Sequence, residues 1–338
     1  MSYPALRQLV LIMIFCLMPL HYGEAAYSSQ GALPTNYPSS SSNSSSQSPS
    51  SPGSHVEPFV SYSREDFRWS IGNQAIKPNY PNIASELIWK NLHVLKIGVS
   101  GIGDFGNSIV LEGAASYGFI LKGKNQDSDF GGNDRTKEWS RATLKTKGHT
   151  LDLSLGGGMK ISVTSDSTIT PLLGVSYQEK TFSDSNLYQN ITHTNLAPPS
   201  FWTDHNITPN QYPAAGTRQN GHINTYKASF YGPWIGFNSE IKMSSNWTLL
   251  TSLKGRYVWY KGQGNWPNNL NFTHTSKGFG VSGQVGVSYD VLKNLGISGI
   301  VGGDYIKINK GNQDSTKDYY RGATFKAVQV SLGARYKF

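Results

Sequence analysis

From about position 57 onward, apolar and polar side chains alternate with a period of two. In the closing stretch Ala323 to Phe338, one set of alternate positions holds Val328, Val330, Leu332, Ala334, Tyr336 and Phe338. The other set holds Ala327, Gln329, Ser331, Gly333, Arg335 and Lys337. Successive side chains of a strand point to opposite faces, so this strand has one apolar and one polar face. Ile109, Leu111, Ala115, Tyr117, Phe119 and Leu121 form a second apolar face. Trp247, Leu249, Leu253, Tyr257 and Trp259 form a third, opposite Thr248, Ser252, Lys254 and Arg256. The pattern predicts ten strands, at roughly 62–74, 84–98, 108–121, 148–164, 167–182, 222–241, 247–260, 275–290, 294–308 and 322–338.

The connections between them carry more information than the strands. Short ones fall at about 99–107, 165–166, 242–246 and 291–293. Long ones fall at about 75–83, 122–147, 183–221, 261–274 and 309–321. A soluble sandwich has no reason to alternate short and long. An outer-membrane barrel does, because its periplasmic turns are short and its external loops long. The expected fold is therefore all-β: a ten-stranded antiparallel transmembrane barrel with both termini periplasmic and the long loops extracellular. The terminal aromatic Phe338 resembles the C-terminal signal of bacterial outer-membrane barrels, which implies the outer-membrane assembly machinery as a partner. Glu86, Lys90, Lys96, Glu112, Lys254 and Arg256 are expected to face the lumen, where charges must pair or be hydrated. Such a set serves a filled interior or a porin-like channel equally, and ten strands make a narrow barrel, which favours filling.

The N-terminal region divides in two. Residues 1–25 read as a secretory signal peptide, with Arg7, an apolar run from Leu9 to Leu20, and the small-x-small site Gly23-Glu24-Ala25. Residues 26–56 form a Ser/Pro-rich linker with too little apolar surface to offset its ordering entropy. The barrel occupies 57–338. Cys16, the single cysteine, lies in the leader, so thiol and disulfide chemistry do not arise. The net charge of +9 fits outer-membrane lipid, including lipopolysaccharide, and the secretory leader excludes nucleic acid.

Two groups bear on chemistry. Asp127-Ser128-Asp129 places two carboxylates on one side of a strand end. There they repel, and one tends to hold its proton and serve as acid or base. The same pair reads equally as a cation site or as solvated surface acids. The histidines, among them Asp204-His205 and His274, fall in no metal-spaced motif. No nucleophile elbow, Walker or dinucleotide fingerprint occurs, and no cofactor is implied.

At these residues the chain resembles the omptins, ten-stranded outer-membrane proteases. SELIWK (85–90), GKNQDSDF (123–130), GVSYQEKTFS (174–183), YKASFYGPWIGF (226–237), YIKINKGN (305–312) and LGARYKF (332–338) follow the family's order. The resemblance implies an omptin-like barrel with Asp127 and Asp129 at the paired catalytic aspartates. It also implies an Asp-x-His dyad on the opposite wall, where this chain reads YKGQGNWPNNLNFTHTS (260–276). Trp266 and Asn268 align with the dyad, His274 is the only histidine, and Phe272 stands where its partner acid would be. Losing a general base removes about 10²–10⁴ in rate. The chain is similar in this respect to the chlamydial-type outer-membrane proteins, a related group treated as porin-like. Three readings follow: a surface-exposed or porin-like barrel lacking a complete protease site; an endopeptidase using Asp127 and Asp129 with His274 or His205; and an adhesin or lipopolysaccharide-binding surface protein.

Overall fold

A computed structural model describes residues 53–72, 80–105, 108–205, 208–267, 270–314 and 319–338. The expected leader and nearly all of the Ser/Pro-rich tract lie outside these residues. Twelve strands follow in order: β1 (His55–Gly72), β2 (Ser85–Asp104), β3 (Ile109–Phe130), β4 (Glu138–Met159), β5 (Ile161–Thr164), β6 (Ser167–Thr192), β7 (Arg218–Lys242), β8 (Trp247–Trp266), β9 (Leu270–Leu292), β10 (Leu295–Ile308), β11 (Gly311–Asp314) and β12 (Tyr319–Lys337). Each long strand pairs antiparallel with the next. β12 then zips onto β1 from His55↔Lys337 to Gly72↔Tyr319, which closes the sheet and removes its edges. The closed ring contains the ten expected staves; β5 and β11 are short additions at its two ends. β1 starts at His55, two positions ahead of the expected boundary.

The alternation is realised as two environments. Val60, Ile97, Leu111, Phe119, Leu155, Leu173, Ile235, Val301, Val328 and Leu332 point outward and exposed, forming an apolar belt. Lys96, Glu112, Lys254 and Arg256 point inward, as expected, into a polar chamber of about 390 Å³. Its charges are paired: Lys180 to Glu65 at 2.7 Å, Lys96 to Asp152 at 2.7 Å, Arg256 to Asp304 at 2.6 Å, Arg335 to Glu57 at 2.9 Å, and Lys254 to Glu112.

The strands are far longer than a bilayer needs. Crossing takes about 9–11 tilted residues, whereas β3 has 22 and β6 has 26. The excess runs beyond the belt at the end away from the termini, through segments expected to be loops. There 122–130, 138–147, 183–192, 261–266 and 270–274 are largely ladder. The β3–β4 connection shrinks to 131–137, and the β8–β9 ladder runs up to Trp266↔Leu270. The β6–β7 connection stays long, at 193–217, and it includes a short helix, α1 (Pro199–His205).

Two bulges set what faces inward at this end. Ile120 pairs with Gly148 and Gly123 with Thr146, so β3 carries one more residue than β4 across this interval. β2 gains one in the same way against β1, between Glu65↔Leu92 and Phe67↔Trp89. Each extra residue reverses the phase of the strand above it. Trp89 and Asn125 therefore turn inward and are fully buried. Lys90 and Glu86, expected in the lumen, face outward instead. Lys90 is exposed, and Glu86 is covered by the 131–137 connection through Arg135, at 2.5 Å.

Above the chamber the lumen is crossed by aromatic rings. Phe67 of β1 stacks on Phe182 of β6 at 5.5 Å and on Tyr226 of β7 at 6.1 Å. β1 and β7 are diametrically opposite staves, so these contacts span the barrel. Trp89 completes the stack against Phe182 (4.9 Å) and Tyr226 (5.4 Å). Phe230, Tyr260, Tyr320 and Phe325 fill the remaining arc, all buried.

Candidate functional site

The upper surface of this aromatic layer is the floor of a cleft of about 170 Å³ at the end away from the termini. Asp127 and Asp129 stand in one wall, with Ser85 and Phe130 beside them. Trp266, Leu270, Phe272 and Gln313 form the facing wall, Trp69 and Leu87 the floor, and Trp139 and Phe201 close the side. The two carboxylates share the cleft because they are two apart on β3, and they face inward only because of the β3 bulge. Without it, odd positions would continue the outward series of Phe119 and Leu121.

The pair lies beyond Leu121, the last outward apolar residue of β3. Burial, then the neighbouring charge of Asp129, then that of Asp184, hold the Asp127 carboxyl well above the ordinary carboxylate range; a hydrogen bond from Ser85 opposes them. Two carboxyls so close disfavour each other's ionised form, so Asp127 holds its proton more tightly than an ordinary aspartate. Below it, Asp184 is wholly buried and accepts from Thr146 Oγ1 (2.5 Å), Asn125 Nδ2 (2.7 Å) and Trp89 Nε1 (3.2 Å). Burial raises its carboxyl to about 6 despite these donors.

His274 sits elsewhere. It is completely buried in the aromatic layer, stacked on Tyr320 at 4.4 Å and edge-on to Trp69 at 4.7 Å. Its Nε2 lies 2.8 Å from Gln313 Oε1, an acceptor, so Nε2 bears the hydrogen. Nδ1 then accepts from the Tyr226 hydroxyl at 2.9 Å, which in turn accepts from Tyr260 at 2.6 Å. Desolvation lowers this imidazole to about 4, so it is neutral. Both ring nitrogens are engaged with groups other than the aspartates. Trp266 and Phe272 stand in the cleft wall where the resemblance would place the dyad. Asn268 lies outside the described residues, as does the side chain of His205. The cleft's aromatic component, Trp69, Trp139 and Phe201, was not anticipated from sequence. Its one signal is Phe67 and Trp69 continuing the polar inward series Ser61, Ser63, Glu65 of β1.

Among the described residues the cleft sets two carboxyls against aromatic walls, and no histidine is among its lining. Comparison with known proteins agrees with the scaffold. Among solved structures, the outer membrane protease OmpT from Escherichia coli is similar over 86% of this chain and 100% of its own, with a TM-score of 0.63 at 14% identity. The translocator domain of the autotransporter NalP from Neisseria meningitidis gives 0.38 over 86% of this chain and 90% of its own, at 12% identity. Neisserial surface protein A gives 0.30 over 85% and 97%, at 14% identity. No curated protein matches the sequence. The profile of the Protochlamydia outer membrane protein family matches residues 59–327, nearly all of the closed ring. The chain thus belongs to the Protochlamydia outer membrane protein family, as a bacterial outer-membrane β-barrel built on an omptin-like scaffold.

Proposed function

We propose that this protein is a closed, non-proteolytic barrel of the outer membrane that works by binding at its distal cleft. In this reading the cleft end faces the cell exterior and the short turns, with both termini, face the periplasm, as in other barrels of this class. The observation that carries it is the aromatic layer: rings from opposite staves touch across the lumen, which favours the surface-binding form over the porin-like one. The endopeptidase reading keeps Asp127 and Asp129, but His274 is turned away from them, with both ring nitrogens committed to Tyr226 and Gln313.

The outer face supports a lipid partner. Lys90, Lys124 and Lys145 lie directly opposite one another on β2, β3 and β4, all exposed, just beyond the belt. Like charges so placed destabilise a sheet unless an anion lies over them. The phosphates of lipopolysaccharide fit that position. The terminal strand, ending at Phe338, is assigned to recognition by the assembly machinery.

The central test is made on refolded protein with lipopolysaccharide present. Planar-bilayer recordings should show no conductance steps, and a peptide with basic cleavage sites should stay intact. Regular steps would restore the porin-like form. Cleavage abolished by Asp127→Asn would restore the endopeptidase.

A further inference from the structure

We propose that the distal cleft binds the terminal pyranose ring of a neutral glycan, a C–H face of the sugar lying on Trp266 and Phe272 and its hydroxyl rim meeting Ser85, Asp127 and Asp129. This ligand class rests on the reading of the cleft as a binding site.

Four observations converge. First, the cleft has two unlike sides. Trp69 meets Phe272 at 5.9 Å between ring centroids and Phe272 meets Trp266 at 4.9 Å, so aromatic surface runs from the floor up one wall. In the facing wall Ser85, Asp127 and Asp129 stand together, with Ser85 directly opposite Asp129 in the β2–β3 ladder. A pyranose has the same two sides: its faces present weakly positive C–H groups, which suit the negative face of an aromatic ring, and its rim carries hydroxyls. A wholly apolar guest would strand the carboxyls, and a wholly polar one would leave the rings uncovered. Second, a sugar hydroxyl donates and accepts at once. Burial and the neighbouring charge of Asp129 make the Asp127 carboxyl hold its proton, and in that form it too both donates and accepts. A carboxylate has roughly four acceptor sites, so Asp129 can take a hydroxyl while bonded elsewhere. Third, Trp69 is only 3% exposed and lines the cleft, and its Nε1 meets no acceptor among the described residues. A ring or hydroxyl oxygen of the sugar supplies one. Fourth, 170 Å³ equals the volume of roughly five or six water molecules at ~30 Å³ each, on the order of one sugar ring.

Room for a single ring selects the end of a glycan over an internal residue. A neutral sugar is selected over a uronic or sialic acid, whose carboxylate would join two carboxyls that already repel each other. Because the cleft lies at the end away from the termini, the glycan belongs either to a glycolipid of the same outer leaflet or to a surface outside the cell. Both present the same terminal ring.

The experiment titrates the refolded full-length barrel, in a detergent without a sugar headgroup, by tryptophan fluorescence and calorimetry. The probes are the methyl glycosides of glucose, galactose, mannose and N-acetylglucosamine, with methyl glucuronide, glycerol and ethylammonium as controls. At least one neutral glycoside should saturate. Glucuronide should bind at least tenfold more weakly than the best of them, and glycerol, which has hydroxyls but no ring face, should not saturate; nor should ethylammonium. Trp266→Ala should weaken the best glycoside at least tenfold. Asp127→Leu should do the same, and Asp127→Asn, whose carboxamide still donates and accepts, should cost several-fold less than Asp127→Leu. Displacement of the glycoside by full-length lipopolysaccharide but not by lipid A identifies a glycolipid of the same membrane as the source; displacement by neither identifies an external glycan. No saturation by any neutral glycoside, equal binding of glycerol or ethylammonium, or an affinity untouched by Trp266→Ala would each overturn the proposal. If a variant fails to show heat-modifiable gel mobility, the probe series on the unsubstituted chain still decides. Failure to bind sugars would leave the conductance and protease results unchanged, so the two readings fail separately.

Discussion

At the scale of single residues, two buried titratable groups next to the cleft pull stability in opposite directions. The His274 imidazole is lowered from 6.5 to about 4 by burial. The unfolded chain therefore binds its proton first, and stability is complete above pH 6.5 and is lost as pH falls toward 4. Asp184 is raised from 3.8 to about 6. Here the folded state holds the proton, so stability is greatest below pH 3.8 and declines as pH rises to 6. At about 1.4 kcal/mol per pH unit, each shift is worth roughly 3 kcal/mol, and between pH 4 and 6 they oppose each other. Relative to the unsubstituted protein, Asp184→Asn should steepen the gain in stability between pH 4 and 6 by about 3 kcal/mol. His274→Gln should convert the same interval to a loss of similar size. Urea unfolding in detergent across pH measures both. If His274→Gln leaves the profile unmoved, the imidazole is not held neutral in the aromatic layer.

At the scale of elements, the sequence is readable where the surroundings differ on the two sides of a strand. Lipid against lumen imposes a period of two, and the outward series on β3, β8 and β12 followed from it. Beyond the belt that contrast disappears. Lys124, Gln126 and Ser128 face outward and Asn125, Asp127 and Asp129 inward, so both faces are polar and the segment resembles a loop. Yet it is paired residue by residue with β4. The phase error at Lys90 and Glu86 has a different cause: one inserted residue in β2, invisible to any alternation count, turns both outward. The same bulges, by changing the phase of β2 and β3, bring Lys90, Lys124 and Lys145 into one outward row. Lys124→Glu should therefore act in two opposite ways. Without lipopolysaccharide it relieves like-charge neighbours and should stabilise the barrel by about 0.2–1 kcal/mol. With lipopolysaccharide it should weaken binding and flatten its salt dependence, because a phosphate contact is lost. Unchanged affinity at low salt would remove this row from the lipid interface.

At the scale of the whole molecule, the ring and its filling are separable. The ring is held by ladders that pass around the circumference and close from β12 onto β1, none of which runs through the lumen. The filling consists of two seals in series. One is the aromatic layer. The other is the ion-pair chamber below it, where Lys180 and Glu65 are at most 1% exposed. They respond differently to substitution. Truncating a buried ring costs about 3–5 kcal/mol and leaves a gap, because neighbours collapse only partly. A charged network admits water readily, since hydration competes with pairing. Removing Phe67 and Trp89 together should thus open the layer at the point where opposite staves meet, while the closed ladder keeps the barrel folded. The expected result is a protein less resistant to urea than the parent but still heat-modifiable on gels, with small conductance steps that the parent lacks. Persistent silence in the folded Phe67→Ala, Trp89→Ala protein would shift the block to the Lys180–Glu65–Lys96–Asp152 network, and the aromatic layer would then serve only as the floor of the cleft.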